Sequence, residues 1–310
     1  MFRGTRSRAG AVLPALALVF FCFPAGGGGL PAAASSARDG ADEHGAEAPA
    51  FLSRSSGPRA ADALPAAVLI IDDIGYDTAA VRRLLALDLG LTYSVLPGAP
   101  RRDAALRLIR NAGAELMLHL PMEPAGYPQA NPGPGAILSD MPPEAVRRAV
   151  DAALDLLPDA VGVNNHMGSR IMAMPAVLYP VFIRIRERGL FFIDSRTSPR
   201  SVGWMTARLL RLPYIRRDLF LDHRPRPADV RRQLHEMIRL ACRRGMVVAI
   251  GHPRQATVGV LSEMKDWIRR RVRIMPASSL FLTPAESHAR PARMERPPAH
   301  CHDDPSTGDG

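Results

Sequence analysis

Apolar runs and helical patterns alternate along the middle of the chain. Short apolar runs predict strands at Val68–Asp72, Leu91–Leu96, Glu115–His119, Ala160–Asn164, Leu190–Asp194, Tyr214–Leu221 and Met246–Ile250, with a weaker eighth at Val272–Met275. Between them, apolar positions three and four apart predict helices at Thr78–Leu87, Arg102–Asn111, Pro143–Leu157, Val177–Arg188 and Ala228–Arg243. Strict alternation of strand and helix argues for a parallel sheet with crossover helices, an α/β fold. Seven or eight such units in one chain favour a single-domain (β/α) barrel over an open doubly wound sheet, the runner-up. Ser139 or Asp140 is a candidate cap for the Pro143 helix, with Pro142, Pro143 and Glu144 suiting its first turn. The stretch from Met122 to Asp140 is dense in Pro and Gly and too long for a simple connection, so it reads as a functional loop.

The pattern changes at both ends. Arg3, Arg6 and Arg8 precede a short apolar run, Ala11–Ala25, followed by Gly26–Gly29 and the small residues Ala32–Ala34. That is the layout of a secretory signal peptide over residues 1–34, too short for a confident permanent membrane span. Residues 35–64 and 284–310 are polar or Pro-rich without periodicity and read as a disordered linker and tail. The barrel domain is then 65–283, in a periplasmic or secreted protein. Cys242 and Cys301 remain beyond the signal, and nothing in their spacing indicates a pairing.

Composition adds little to this. The formal charge is +10, but Lys265 is the only lysine, so the Arg excess reflects a coding bias as readily as a polyanionic partner. Neither aromatic–basic clustering nor a known module supports a nucleic-acid partner. An aromatic content of 5% argues against a lectin-like surface of stacked rings.

The chemistry lies at the strand ends. The predicted strands run into Asp72-Asp73, His119, Asn164-Asn165-His166, Asp194-Ser195-Arg196, Asp222-His223 and His252. In a parallel barrel these C-terminal ends share the face where active sites form. Singly, each has a plain structural role: an Asp after a strand caps the next helix, and a lone His is a hydrogen-bonded core residue. Two Asp and three His on one face are hard to explain that way. Two imidazoles and a carboxylate suit a divalent transition metal with positions open to water. A second carboxylate can serve as general base, and another His can protonate a leaving group. Along an extended chain Asp72 and Asp73 point to opposite sides, so the two are expected to face different partners.

The segments Ile71-Asp72-Asp73-Ile74-Gly75, His119-Leu120-Pro121-Met122-Glu123-Pro124, Pro132-Gly133-Pro134-Gly135, Val163-Asn164-Asn165-His166-Met167-Gly168-Ser169, Asp194-Ser195-Arg196-Thr197 and Gly251-His252-Pro253 resemble the divergent polysaccharide deacetylase family. The resemblance spans about 68 to 282. It implies a distorted (β/α) barrel and a secreted metal-dependent hydrolase that deacetylates an N- or O-acetylated cell-envelope polysaccharide. It also implies a divalent metal cofactor, zinc first. By the same resemblance Asp72 is the base, Asp73 a metal ligand, His119 and His166 the metal imidazoles, and His252 the general acid. Ordinary polysaccharide deacetylases carry their metal histidines as His-x-x-x-His. Here Glu123 stands in the second position, and His166 on the next strand is the candidate replacement. Glu123, Asn165, Asp194 and Arg196 are expected to contact substrate or support the ligands. His223 and His235 read as solvent-facing.

Two other functions are consistent with parts of this pattern. The altered metal motif fits a non-catalytic envelope protein that keeps the barrel and binds glycan or a partner. An Ile-Asp-Asp strand end also occurs in phospho-receivers, but that chemistry needs a Lys at a late strand end, and Lys265 lies in a helical stretch.

Overall fold

A computed structural model describes residues 64–281. The predicted signal peptide and tail lie outside the described residues, as does all but the last residue of the predicted linker. In chain order the elements are β1 (Ala66–Ile74), α1 (Thr78–Leu85), β2 (Thr92–Val95), α2 (Arg102–Asn111), β3 (Glu115–Met122), α3 (Pro143–Asp155), β4 (Gly162–Met167), α4 (Pro175–Glu187), β5 (Phe191–Asp194), α5 (Gly203–Leu210), β6 (Tyr214–Arg216), β7 (Leu219–Phe220), α6 (Pro227–Arg244), β8 (Met246–Gly251), α7 (Gln255–Glu263), α8 (Lys265–Arg269) and β9 (Arg273–Ile274).

The strands form one parallel sheet in the order β6-β5-β4-β3-β2-β1-β8-β7, with β9 beside β1. Successive strands are neighbours from β1 to β6, without the reversal of order that marks a doubly wound sheet. The sheet curls into the distorted barrel expected. Its closure differs from expectation. The predicted strand Tyr214–Leu221 is two strands, of which β6 pairs with β5 and β7 with β8. The break falls at Arg217-Asp218. The Arg217 N–H donates to Asp194 O at 3.0 Å and the Asp218 N–H to Val248 O at 2.8 Å, so adjacent residues bond to opposite ends of the sheet. Apolar periodicity reports a continuous buried stretch and cannot report this change of partner.

Side-chain alternation divides the core into two layers. Ala67, Leu69 and Ile71 of β1 pack toward the helices with Leu118, Leu120, Val163 and Phe192. Val68 and Ile70 face the barrel interior with Met117, Ile193, Val248 and Ile250, and Ala277 and Leu280 join them there. Continuing the interior series by two residues reaches Asp72 on β1, His119 on β3 and His252 after β8. On β4 the interior series is Gly162, Asn164, His166. The apolar plug therefore gives way, at one end of the barrel, to a ring of polar side chains.

Several local expectations are corrected. The N-cap of α3 is Pro142 and no side chain caps it; Ser139 instead donates its backbone N–H to Glu123 Oε2 at 2.6 Å. The first helix is capped by Asp77, whose Oδ1 accepts from the Ala79 and Ala80 N–H groups at 2.8 and 3.0 Å. Asp72 and Asp73 therefore have no capping role. Helices α5 and α7 were not predicted. Cys242, on α6, is disulfide-bonded, although its spacing gave no sign of it. His223 and His235 are exposed, as expected.

Gly75 follows the acidic pair with φ +125°, and a Cβ there would lie 2.5 Å from Ala99 Cβ. Both the dihedral and the contact exclude a side chain. Gly75→Ala is expected to cost about 2 kcal/mol or more of unfolding free energy. Urea unfolding of the variant checks this, and an unchanged midpoint would contradict it.

Candidate metal centre and acid–base residues

The acidic pair does not follow simple alternation. Asp73 has φ +57°, in the left-handed region, and the register between β1 and β2 shifts between Ile71 and Ile74. Asp tolerates this conformation better than most residues, at a cost of order 1 kcal/mol. The bulge turns a residue that alternation would send outward back toward the interior. Asp73 Oδ1 lies 3.3 Å from His119 Nε2, and Asp72 Oδ2 lies 3.7 Å from the same nitrogen. The two carboxylates converge, which corrects the expectation that they face different partners.

Asp73 Oδ1, His119 Nε2 and His166 Nδ1 form a compact triangle with sides of 3.3, 3.2 and 2.9 Å. Ligands about 2.0–2.1 Å from a tetrahedral ion lie about 3.3 Å apart, so this donor set is spaced to hold a metal ion. Asp73 Oδ1 is buried yet accepts no hydrogen bond. An orphaned carboxylate oxygen facing two imidazole nitrogens is costly unless a cation satisfies it.

The hydrogen bonds around His119 fix its tautomer. Asn164 Nδ2 donates to Asp72 Oδ1 at 2.7 Å, which leaves Asn164 Oδ1 as an acceptor. That oxygen accepts from Ser94 Oγ at 2.6 Å and lies 2.7 Å from His119 Nδ1. His119 Nδ1 must then carry the proton, and Nε2 presents its lone pair to the triangle. Asn164 is fully buried and links the acidic pair, the imidazole and β2.

Charge at the site is shaped by burial and by these neighbours. Burial pushes the Asp72 carboxyl above the usual carboxylate range, against the pull of His119 and His252. Burial also acts to raise Asp73, but His119 and His166 outweigh it and hold that carboxylate well below the usual range. Burial disfavours charge on His119, yet Asp72 and Asp73 raise its pKa overall. The field that favours a proton there also favours a cation.

His252 closes the group from β8, with Nε2 3.8 Å from Asp73 Oδ2. Its Nδ1 lies 2.8 Å from Asp222 Oδ1, and its backbone N–H donates to Asp222 Oδ2 at 2.8 Å. Thr257 Oγ1 also donates to Asp222 Oδ2, at 2.7 Å. Burial lowers the His252 pKa, but Asp222 and then the acidic pair raise it overall. Asp222 itself is fully buried and is held below its usual range by His252, which offsets its own burial.

The model of the divergent polysaccharide deacetylases matches residues 69–281. The chain belongs to this family. It is 31% identical over 231 residues to the Escherichia coli protein YibQ, covering 74% of this chain and 72% of YibQ. A Haemophilus influenzae protein is 33% identical over 193 residues, covering 62% of this chain and 68% of that one. Both are uncharacterised. An uncharacterised Agrobacterium tumefaciens protein of known structure shares the fold, with a TM-score of 0.66, 24% identity and coverage of 73% of this chain and 92% of its own.

In this member of the family the remaining expected residues lie apart from the triangle. Glu123 accepts from the Ser139 N–H and pairs with Arg170 Nε at 3.0 Å, pinning the Pro-Gly-rich loop to the chain after β4. Asn165 has the opposite parity to His166. Its Oδ1 accepts from the Ser195 N–H at 2.9 Å and its Nδ2 donates to Met167 O at 2.8 Å. Asp194 accepts from Ser201 Oγ, Tyr214 OH and the Arg196 N–H at 2.6, 2.7 and 2.6 Å, and so anchors the β5–α5 loop. Arg196 is exposed on that loop with φ +49°. His252 is oriented by Asp222, not by Asp194 or Arg196.

Two residues were missed by sequence reasoning. Asn164 could have been found, because parity with His166 places it inside the barrel and Asn165 outside. Asp222 stands among the strand-end residues with no role assigned, because no local signal joins it to His252 thirty residues later.

Proposed function

We propose that this protein is a metal-dependent hydrolase that removes acetyl groups from an N- or O-acetylated cell-envelope polysaccharide, in the periplasm or outside the cell. The observation that carries this reading is the orphaned Asp73 Oδ1 facing His119 Nε2 and His166 Nδ1. These three residues would hold a divalent ion, with zinc favoured by two imidazoles and a carboxylate. Such an ion lowers the pKa of a coordinated water and polarises a carbonyl.

The rest of the chemistry belongs to the protein. Asp72, its pKa raised by burial, takes the proton of the attacking water. As the water oxygen bonds to the acetyl carbon, the C–N or C–O bond breaks. His252, kept protonated to higher pH by Asp222, gives its proton to the departing amine or alkoxide. Acetate and the deacetylated sugar leave. Tyr76, 55% exposed, follows the acidic pair by three residues and would be available to a sugar bound there.

Elemental analysis of the purified protein, with an acetate-release screen on acetylated glycan oligomers, tests the proposal. About one divalent ion per chain and released acetate are expected. A metal-free protein without acetate release on N- and O-acetylated glycans would overturn it. The second reading, a barrel that binds glycan without turnover, draws on Glu123, which is occupied by Arg170 and Ser139 where ordinary deacetylases place a ligand. Bound metal and glycan without acetate would favour it.

Asp222→Asn tests the acid. The Asp222 carboxylate stabilises the imidazolium, so its loss lowers the pKa of His252. The acid must be protonated to work, so the basic limb of the rate profile is expected to move to lower pH. A purely structural Asp222 would lower activity at all pH values without moving that limb.

A further inference from the structure

The strongest unexplained surface lies on α5. Trp204, Met205 and Leu209 are 45%, 54% and 75% exposed on a helix of eight residues. The opposite side of the helix, with Thr206, Ala207 and Leu210, is buried, and α5 packs on α4. Tyr179 of α4 is also exposed. Large apolar side chains grouped on one exposed helix face mark a contact surface.

The charge around this face is one-sided. From Ser195 to Arg217 the chain carries six arginines and no Asp or Glu. Arg196, Arg200, Arg208, Arg211 and Arg216 are exposed. None of the five forms an ion pair among the described residues, whereas several arginines on the longer helices do. Arg184 of α4 and Arg188 just beyond it pair with Asp151, and Arg232 and Arg239 of α6 pair with Asp229 and Glu236. Coding bias explains many arginines, but not their concentration without acids around three exposed apolar side chains.

We propose that α5 and its flanking turns are a docking surface for an anionic membrane. Trp, Met and Leu on one face of a short helix suit insertion at the boundary of headgroups and acyl chains, and the surrounding guanidiniums meet lipid phosphates. A protein partner would have to supply several carboxylates around an apolar hollow; a leaflet of phosphatidylglycerol supplies both features over any area. The β5–α5 loop leaves the sheet at the same face as the metal triangle, so docking there places the mouth of the barrel beside the headgroups. This surface does not depend on catalysis.

Flotation of the full chain with vesicles of phosphatidylglycerol and phosphatidylethanolamine, against phosphatidylcholine alone, tests it. Binding is expected to the anionic vesicles and to fall steeply in 0.5 M salt, roughly 10-fold or more. Each arginine near an anionic surface multiplies binding about five-fold, so Arg208→Gln with Arg211→Gln is expected to weaken it about 25-fold. Trp204→Ser with Leu209→Ser should lower it by a similar factor, with thermal unfolding unchanged as the control for folding. Equal binding of wild type and both double variants would overturn the proposal, as would equal binding to neutral vesicles. Loss of self-association without any change in vesicle binding would assign the face to a second copy and overturn it as well.

Discussion

Asp72→Asn is expected to reduce acetate release by about 10²- to 10⁴-fold, the usual contribution of a positioned base. The substitution is isosteric, and the new amide oxygen can still accept from Asn164 Nδ2, which holds Asp72 at 2.7 Å. The fold and the triangle of Asp73, His119 and His166 should therefore persist. What is lost is a carboxylate able to take a proton, its pKa raised by burial. Measurement of acetate release at saturating glycan, with metal content determined on the same sample, checks the result. Metal content should stay near that of the wild type. Wild-type turnover in Asp72→Asn would remove Asp72 from the role of base.

The second large effect concerns the ion itself. His166→Ala is expected to lower metal affinity by about 100-fold or more, leaving the dialysed protein nearly metal-free. His166 Nδ1 lies 2.9 Å from Asp73 Oδ1, and the imidazole is only partly buried at the mouth, so its removal leaves little cavity in the apolar core. Thermal unfolding of the metal-stripped forms should be similar in variant and wild type. Stabilisation by added zinc should be large in the wild type and small in the variant, because a ligand stabilises only as far as it binds the folded state. Unchanged metal content in His166→Ala would exclude it as a ligand. It would also leave the loss of the His-x-x-x-His pattern at Glu123 without a replacement.

Both effects hang on side-chain direction, and direction is where sequence and structure part. The order of strands and helices was legible, because local apolar spacing reports burial within one element. The placement of His119, His166 and His252 at one end was legible for the same reason: each ends or follows a strand of a parallel sheet. Parity along β4 also lay in the sequence, and it separates Asn164, which bonds Asp72, from Asn165, which ties down Ser195. Glu123 was legible as a departure from the usual metal motif, but its bond to Ser139 across the Pro-Gly-rich loop was not.

The acidic pair is the sharpest case. The sequence by itself determined that Asp72 and Asp73 end the first strand and that alternation sends Asp72 inward. Only the tertiary structure decided that Asp73 turns inward beside it, through a left-handed residue at a bulge between β1 and β2. That conformation costs local energy and is held by its surroundings, so no local propensity announces it. The same holds for the split of β6 from β7 and for the union of Asp222 with His252. Each depends on how the sheet closes, and closure is a property of the whole barrel, written in contacts between residues far apart in the chain.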